Sequence, residues 1–210
     1  MVEIKRLNDT EVEIKEVVQL IVDSFQLWKD HGLLSSLLQL TEEEFMARTN
    51  EGTIFVSMDE NENLLGTITF FTFGNIKRYA KIAYLAVSES ARHLGIGTLL
   101  INHCFEEAKR THCDYILSDT AVDAYWSIHL HLKTGFVRIG VDSFKTNNYY
   151  SVLFKKIIKD SGIPCMYYRC RYVFCLLLIK LYKKPNGSYT AIARVIRKMT
   201  GINGHRQSFE

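Results

Sequence analysis

Between residues 80 and 133 the chain alternates between two hydrophobic periods. AKIAYLAV (80–87) is strand-like, Ile96 to about Thr111 is helical, DYILSDTA (114–121) is strand-like again, and a helix follows from about Ala124 to Lys133. Strand, helix and strand in that order imply at least one parallel crossover, because parallel neighbours cannot be joined by a tight turn. The flanks read differently. TIFVSM (53–58) and LLGTITFFTF (64–73) form a hairpin around ENEN (60–63), and VEIKRL (2–7) is a first strand. GFVRIG (135–140) and NYYSVLFKKI (148–157) are two closing strands. The expected body is therefore one mixed sheet with helices on its faces, and an apolar fraction of 47% supplies its core.

Two further helices precede the hairpin. Ile14, Val17, Val18, Ile21, Val22 and Phe25 recur at helical spacing within residues 11–30. Thr41 followed by Glu44 resembles a capping box opening a short helix to about Arg48.

The junction at residues 92–100, RHLGIGTLL, places Gly95 and Gly97 where a helix begins. A helix start leaves backbone N–H groups unpaired and carries partial positive charge, and glycine removes the Cβ that would keep an anion away. The pattern lacks the first glycine of the dinucleotide fingerprint and the Lys-Ser/Thr of a P-loop. Two readings stand: a tight turn without ligand, or a phosphate cradle.

Arg92-His93-Leu94-Gly95-Ile96-Gly97, preceded by YLAVSES, resembles the Arg/Gln-x-x-Gly-x-Gly/Ala signature of the GNAT superfamily of acetyl-CoA-dependent N-acyltransferases. A second landmark agrees. The family often ends its fourth helix in Tyr-x-Lys-x-Gly-Phe, and this chain has His131-Leu132-Lys133-Thr134-Gly135-Phe136. The resemblance covers residues 2 to 157. It implies an α/β (α+β) fold with a mostly antiparallel sheet of about six to seven strands and helices on both faces, over domain 1–160. It implies that amides of Arg92, His93, Leu94, Gly95, Ile96, Gly97 and Thr98 hold the CoA pyrophosphate. Main-chain groups of Leu85, Ala86 and Val87 would pair with the pantetheine arm in a splay between strands 80–87 and 115–120. An N–H near Leu85 or Ala86 would face the thioester oxygen. The implied activity is acetyl transfer to a primary amine by direct attack in a ternary complex. The alternative is a non-catalytic acyl-CoA-binding or protein-interaction module.

The chain departs from the family pattern at two positions. His131 stands where a tyrosine often protonates the leaving thiolate, and Ala124 stands where an asparagine is common. His131 is the candidate acid, since imidazole titrates near neutrality; the thiolate leaving without it, or lost catalysis, are the other outcomes. The amine's proton needs an acceptor, either a water chain or a residue at the sheet centre, for which Asp119 is one candidate and Asp123 and Tyr84 are others. Trp28 and His31, at the end of the first long helix, sit where the family builds its acceptor pocket, together with Tyr84. The acceptor itself, a small-molecule or peptide amine, is open.

His103-Cys104, His112-Cys113 and His129-x-His131 match no zinc spacing, so no metal is expected. Five cysteines without a CxxC pair, and the charged start MVEIKRLNDT, give the expectation of a cytoplasmic protein with free thiols. Residues 161–210 form a separate basic, apolar helical extension. From residue 163 onward it carries nine Lys/Arg and a single acidic residue, Glu210, whereas residues 1–162 sum to −5. YVFCLLLI (172–179) is apolar all round, KKPNGS (183–188) is a turn, and Ser188 to Gly201 bound a basic amphipathic helix. Three partners suit the extension: the core or a second copy, making a homodimer through residues 163–200; an anionic inner-membrane surface, contacted peripherally; and nucleic acid, which lacks an aromatic stacking pattern here.

Overall fold

The computed structural model of the chain describes residues 2–74, 78–143, 147–159 and 165–182. The turn at 183–188 and the amphipathic helix expected after Ser188 lie outside the described residues. Seven strands form one sheet: β1 (Glu3–Arg6), β2 (Thr53–Met58), β3 (Leu64–Phe73), β4 (Tyr79–Val87), β5 (Tyr115–Ala121), β6 (Val137–Ser143) and β7 (Tyr150–Ile157). Their order across the sheet is β1-β2-β3-β4-β5-β7-β6. Every neighbouring pair is antiparallel except β4 and β5, the parallel pair that the central pattern requires.

Helices cover both faces. On one side α1 (Ile14–Asp30) and α2 (Glu42–Thr49) bury Val17, Ile21 and Phe45 against Val56, Met58 and Ala86. On the other, α3 (Ile96–Arg110) and α4 (Tyr125–Lys133) bury Ile96, Leu100, Ile101 and Ile128 against Ile68, Ile82, Ile116 and Phe154. Local chemistry sets the boundaries. α1 begins at Ile14 rather than residue 11 because Glu13 and Glu16 close a reciprocal capping box. The Asp59 carboxylate accepts from the amides of Asn61 and Asn63, each at 2.9 Å, and turns the β2–β3 hairpin.

β6 starts later than GFVRIG suggests, because its glycine belongs to the helix before it. Gly135 has φ +87°, its N–H donates to the Leu132 carbonyl, and the Phe136 N–H donates to the His131 carbonyl. That is a Schellman cap, which needs a left-handed residue at Gly135.

A bulge distorts β4. Thr67 of β3 faces Ala86 and Thr69 faces Ala83, so β4 carries an extra residue over that step. Tyr84 takes it up at φ +54°. The bulge inverts the alternation of the strand. Ala80 and Ile82 face the α3 side, while Tyr84 and Ala86 face α1 and α2. Left-handed backbone costs a non-glycine residue about 1–2 kcal/mol; the Tyr84 ring, edge-on to Phe45 at 5.2 Å, anchors it there.

The last described element, α5 (Cys165–Tyr182), packs along the edge strand β6. No helix among the described residues is long and apolar enough to cross a membrane.

Candidate active site

The parallel ladder between β4 and β5 has three rungs, Tyr79–Tyr115, Ala80–Ile116 and Lys81–Leu117, and then stops. Beyond Lys81 the strands part, and the β5-facing edge of residues 82–87 has no strand beside it. The bulge lies on this unpaired stretch of β4. An extended ligand can enter such an edge by adding main-chain hydrogen bonds, as a strand would.

The chain leaves β4 and reaches α3 through the Arg92–Gly97 loop. His93 has φ +67° and Gly95, the N-cap, has φ +82°. No side chain caps α3, and its first turn holds no acidic residue. Among the described residues, the amides of His93, Gly95, Ile96, Gly97 and Thr98 have no hydrogen-bond acceptor. The two glycines are needed for different reasons. A Cβ on Gly95 would meet nothing within 4 Å, so that position is set by backbone handedness and looks onto open space. A Cβ on Gly97 would lie 3.0 Å from Leu130 Cδ2, so that position is set by the close approach of α3 to α4. An uncapped helix start with open space at its N-cap fits a pyrophosphate.

His131 lies in α4 and is buried. Its Nδ1 is 2.8 Å from the Ser127 carbonyl, which can only accept, so Nδ1 carries the proton. Its Nε2 is 2.9 Å from Ser118 Oγ and accepts from that hydroxyl in the neutral ring. The imidazole stacks on Phe154 at 4.7 Å. Burial pushes its pKa below the ordinary value, outweighing the Ser127 hydrogen bond and the field of Asp119. Ser118 is the first residue of β5 past the last rung, so the Ser118–His131 pair borders the splay. Neutral His131 has no proton to give on the nitrogen that faces Ser118; giving one there requires the imidazolium, which burial disfavours.

Asp119 is half-buried on β5, on the opposite face from Ser118, and its charge acts on both His131 and Tyr149. Asp123 is exposed. Tyr84 is half-buried on the α1/α2 side, packed against the same cluster as Trp28, and burial raises its pKa. Trp28 and His31 do come together with residues that spacing could not supply. Trp28 stacks on Phe25 at 4.6 Å and meets Trp126 at 6.2 Å and Tyr149 at 5.8 Å. His31 lies 4.9 Å from Trp126. Leu33, Ala121 and Ala124 close this group at the C-terminal end of β5. Ser118, Ser127, Trp126 and Tyr149 carried no sequence signal, since their partners lie up to a hundred and more residues away or across a helix turn.

The paired His and Cys residues do not gather: among the described residues no three His, Cys, Asp or Glu side chains cluster as metal ligands. Cys104 is buried in the core, where desolvation pushes its thiol pKa far up.

The model of the acetyltransferase (GNAT) family matches residues 14–136. The chain belongs to the GNAT acetyltransferase family. Solved GNAT structures share the fold at low identity. A GNAT acetyltransferase from Staphylococcus aureus is 17% identical, with TM-score 0.60 over 76% of this chain and 100% of its own. One from Elizabethkingia anophelis with acetyl-CoA bound is 13% identical, with TM-score 0.56 over 75% of this chain and 98% of its own. A spermidine N-acetyltransferase chimera from Vibrio cholerae and hSSAT is 16% identical, with TM-score 0.57 over 74% of this chain and 94% of its own. No curated protein sequence matches the chain. As a GNAT domain, the chain has the family's fold from α1 to the α4 cap, and its acyltransferase class follows from membership.

Proposed function

We propose that the protein transfers an acetyl group from acetyl-CoA to a primary amine by direct attack, with both substrates held in the β4–β5 splay. The observation that carries this reading is the ladder that stops after Lys81–Leu117 beside an uncapped helix start. Acetyl-CoA, when bound, supplies the activated acyl thioester. The amides of His93, Gly95, Ile96, Gly97 and Thr98 hold the pyrophosphate, those of Arg92 and Leu94 being engaged by the Glu89 and Ala91 carbonyls, and the β4 edge at Leu85, Ala86 and Val87 holds the arm by main-chain hydrogen bonds. An amide at Leu85 or Ala86, re-aimed by the bulge, stabilises negative charge developing on the acyl oxygen. Asp119, on the strand that borders the splay, accepts the proton of the incoming amine. Positioning of the two reactants supplies much of the acceleration. Trp28, His31, Trp126 and Tyr149 line the acceptor side, where aromatic faces favour a cationic amine before it deprotonates. The acceptor is of the small-molecule or peptide amine class.

His131 and Ser118 define the choice at the leaving-group step. Either His131 takes up a solvent proton at Nε2 and, as imidazolium, returns it to Ser118 Oγ while the Ser118 hydroxyl proton passes to the thiolate, or the thiolate leaves without a protein acid. His131→Phe separates them: loss of kcat with acetyl-CoA affinity kept assigns the proton to His131. The non-catalytic acyl-CoA-binding reading draws on the same residue, whose facing nitrogen is an acceptor. The deciding experiment is calorimetric titration with acetyl-CoA followed by a CoA-release assay against polyamines, amino sugars, lysine and peptide N-termini. Binding with turnover of one class supports transfer. Binding without turnover of any assigns the module reading, and absence of binding removes both.

A further inference from the structure

We propose that α5 is a docking surface for an anionic lipid bilayer, lying on the membrane rather than crossing it. α5 is apolar on two sides. One side faces the body: Tyr168 and Cys175 are buried, and Tyr172 packs against the main core. Among the described residues the other side is bare. Met166, Tyr167, Val173, Phe174 and Leu177 are 44–71% exposed, and Cys170 is exposed among them. At 3.6 residues per turn these six positions fall within about one third of the helix circumference. They form a continuous stripe opposite the docked side, and soluble surfaces seldom leave such a stripe uncovered.

The stripe is presented on a fixed support. Lys155 Nζ donates to the Tyr168 hydroxyl at 3.2 Å and sits over the Tyr115 ring at 4.1 Å. Arg138 lies over Tyr172 at 5.3 Å. These contacts tie the helix to β6 and β7, so binding at the stripe need not order it first.

Charge selects the occupant. By helical spacing Arg169, which is exposed, and Arg171, which is half-buried, fall at the two edges of the stripe, and residues 163–209 contain nine Lys/Arg and no acidic residue. Pairing with a second copy through the same face would bring the flanking arginines of two stripes together, and like charges oppose it. An anionic headgroup layer meets the apolar stripe and its basic flanks at once, the arrangement of an interfacial helix. Each basic residue held near an anionic surface strengthens binding about fivefold.

The test is flotation of the full chain with vesicles of mixed phosphatidylcholine and phosphatidylglycerol, beside pure phosphatidylcholine. The expected result is binding to the anionic vesicles that weakens as salt rises, with far less on the neutral ones. Val173→Glu with Phe174→Glu should lower the bound fraction more than tenfold while the melting curve stays unchanged, because both side chains are exposed. Met166→Gln with Leu177→Gln is a milder second pair that should lower it in the same direction. No flotation at low salt overturns the proposal, as does equal flotation on neutral vesicles. Flotation that both variant pairs leave intact also overturns it, by removing α5 from the contact. A dimer that the variants dissociate, with no flotation, assigns the stripe to a second copy instead. The readout is vesicle binding alone, so it is independent of acetyl transfer.

Discussion

Thr98→Glu tests the phosphate cradle without endangering the fold. Thr98 is half-buried in the first turn of α3, three residues past the Gly95 N-cap, and no side chain caps that turn. A carboxylate there faces the positive end of the helix and should stabilise it by about 0.3–1 kcal/mol. The same carboxylate competes for the amides that the pyrophosphate needs. Two unit charges ~5 Å apart repel by about 1–3 kcal/mol when the dielectric lies between bulk water and a protein surface. At 1.4 kcal/mol per tenfold, acetyl-CoA should bind roughly ten- to a hundredfold more weakly. Thr98→Gln has nearly the same shape without the charge and should bind within about threefold of the wild type. Calorimetry at low salt reads the affinities, and a thermal melt reads the fold. The reasoning fails if Thr98→Glu binds as tightly as Thr98→Gln. It also fails if Thr98→Glu lowers Tm, because an open positive helix end should welcome the carboxylate.

Other perturbations address the remaining parts of the site. His131→Phe leaves Ser118 Oγ without its acceptor and should cost about 1–3 kcal/mol in chemical denaturation. Because burial holds the folded His131 pKa below its ordinary 6.5, the unfolded chain binds more protons as pH falls through and below 6.5. Stability is therefore full above that value and falls on acidification. His103 is shifted in the same direction, also by burial, so His131→Phe should flatten the acid side of a Tm-against-pH curve without abolishing its slope. Gly97→Val should destabilise the chain by about 1–3 kcal/mol through overpacking against Leu130. Adding Leu130→Ala should recover part of that loss, and a strictly additive double mutant would place the clash elsewhere. Trp126→Ala, at the partly exposed edge of the aromatic group, should raise KM for the amine several-fold and leave KM for acetyl-CoA unchanged; equal shifts would remove Trp126 from the acceptor side.

Much of the body was legible because local rules fix it. The hairpin at residues 53–73 and the start of α3 at Ile96 stand where period and glycine placement put them. Boundaries moved where a cap outranked the period, as at Glu13 and Gly135. The landmark Gly-Phe pair at 135–136 proved to be a helix stop, with a hydrogen-bonding reason that the letters alone do not state. The site was legible only in part. RHLGIG marked the helix start, yet nothing in it separates Gly95, which needs a left-handed backbone, from Gly97, which needs room beside Leu130.

By itself, then, the sequence determined the order of strands and helices, the parallel crossover and the glycine-bearing helix start, because hydrophobic period and backbone conformation act over a few residues. Only the tertiary structure decided the rest. It ended the β4–β5 ladder after three rungs, inverted β4 at Tyr84, closed His131 onto Ser118, and left one side of α5 uncovered by the other described residues. Each of these depends on which distant segments meet, and burial, hydrogen-bond partners and charge environment follow from that meeting rather than from any residue's neighbours in the chain.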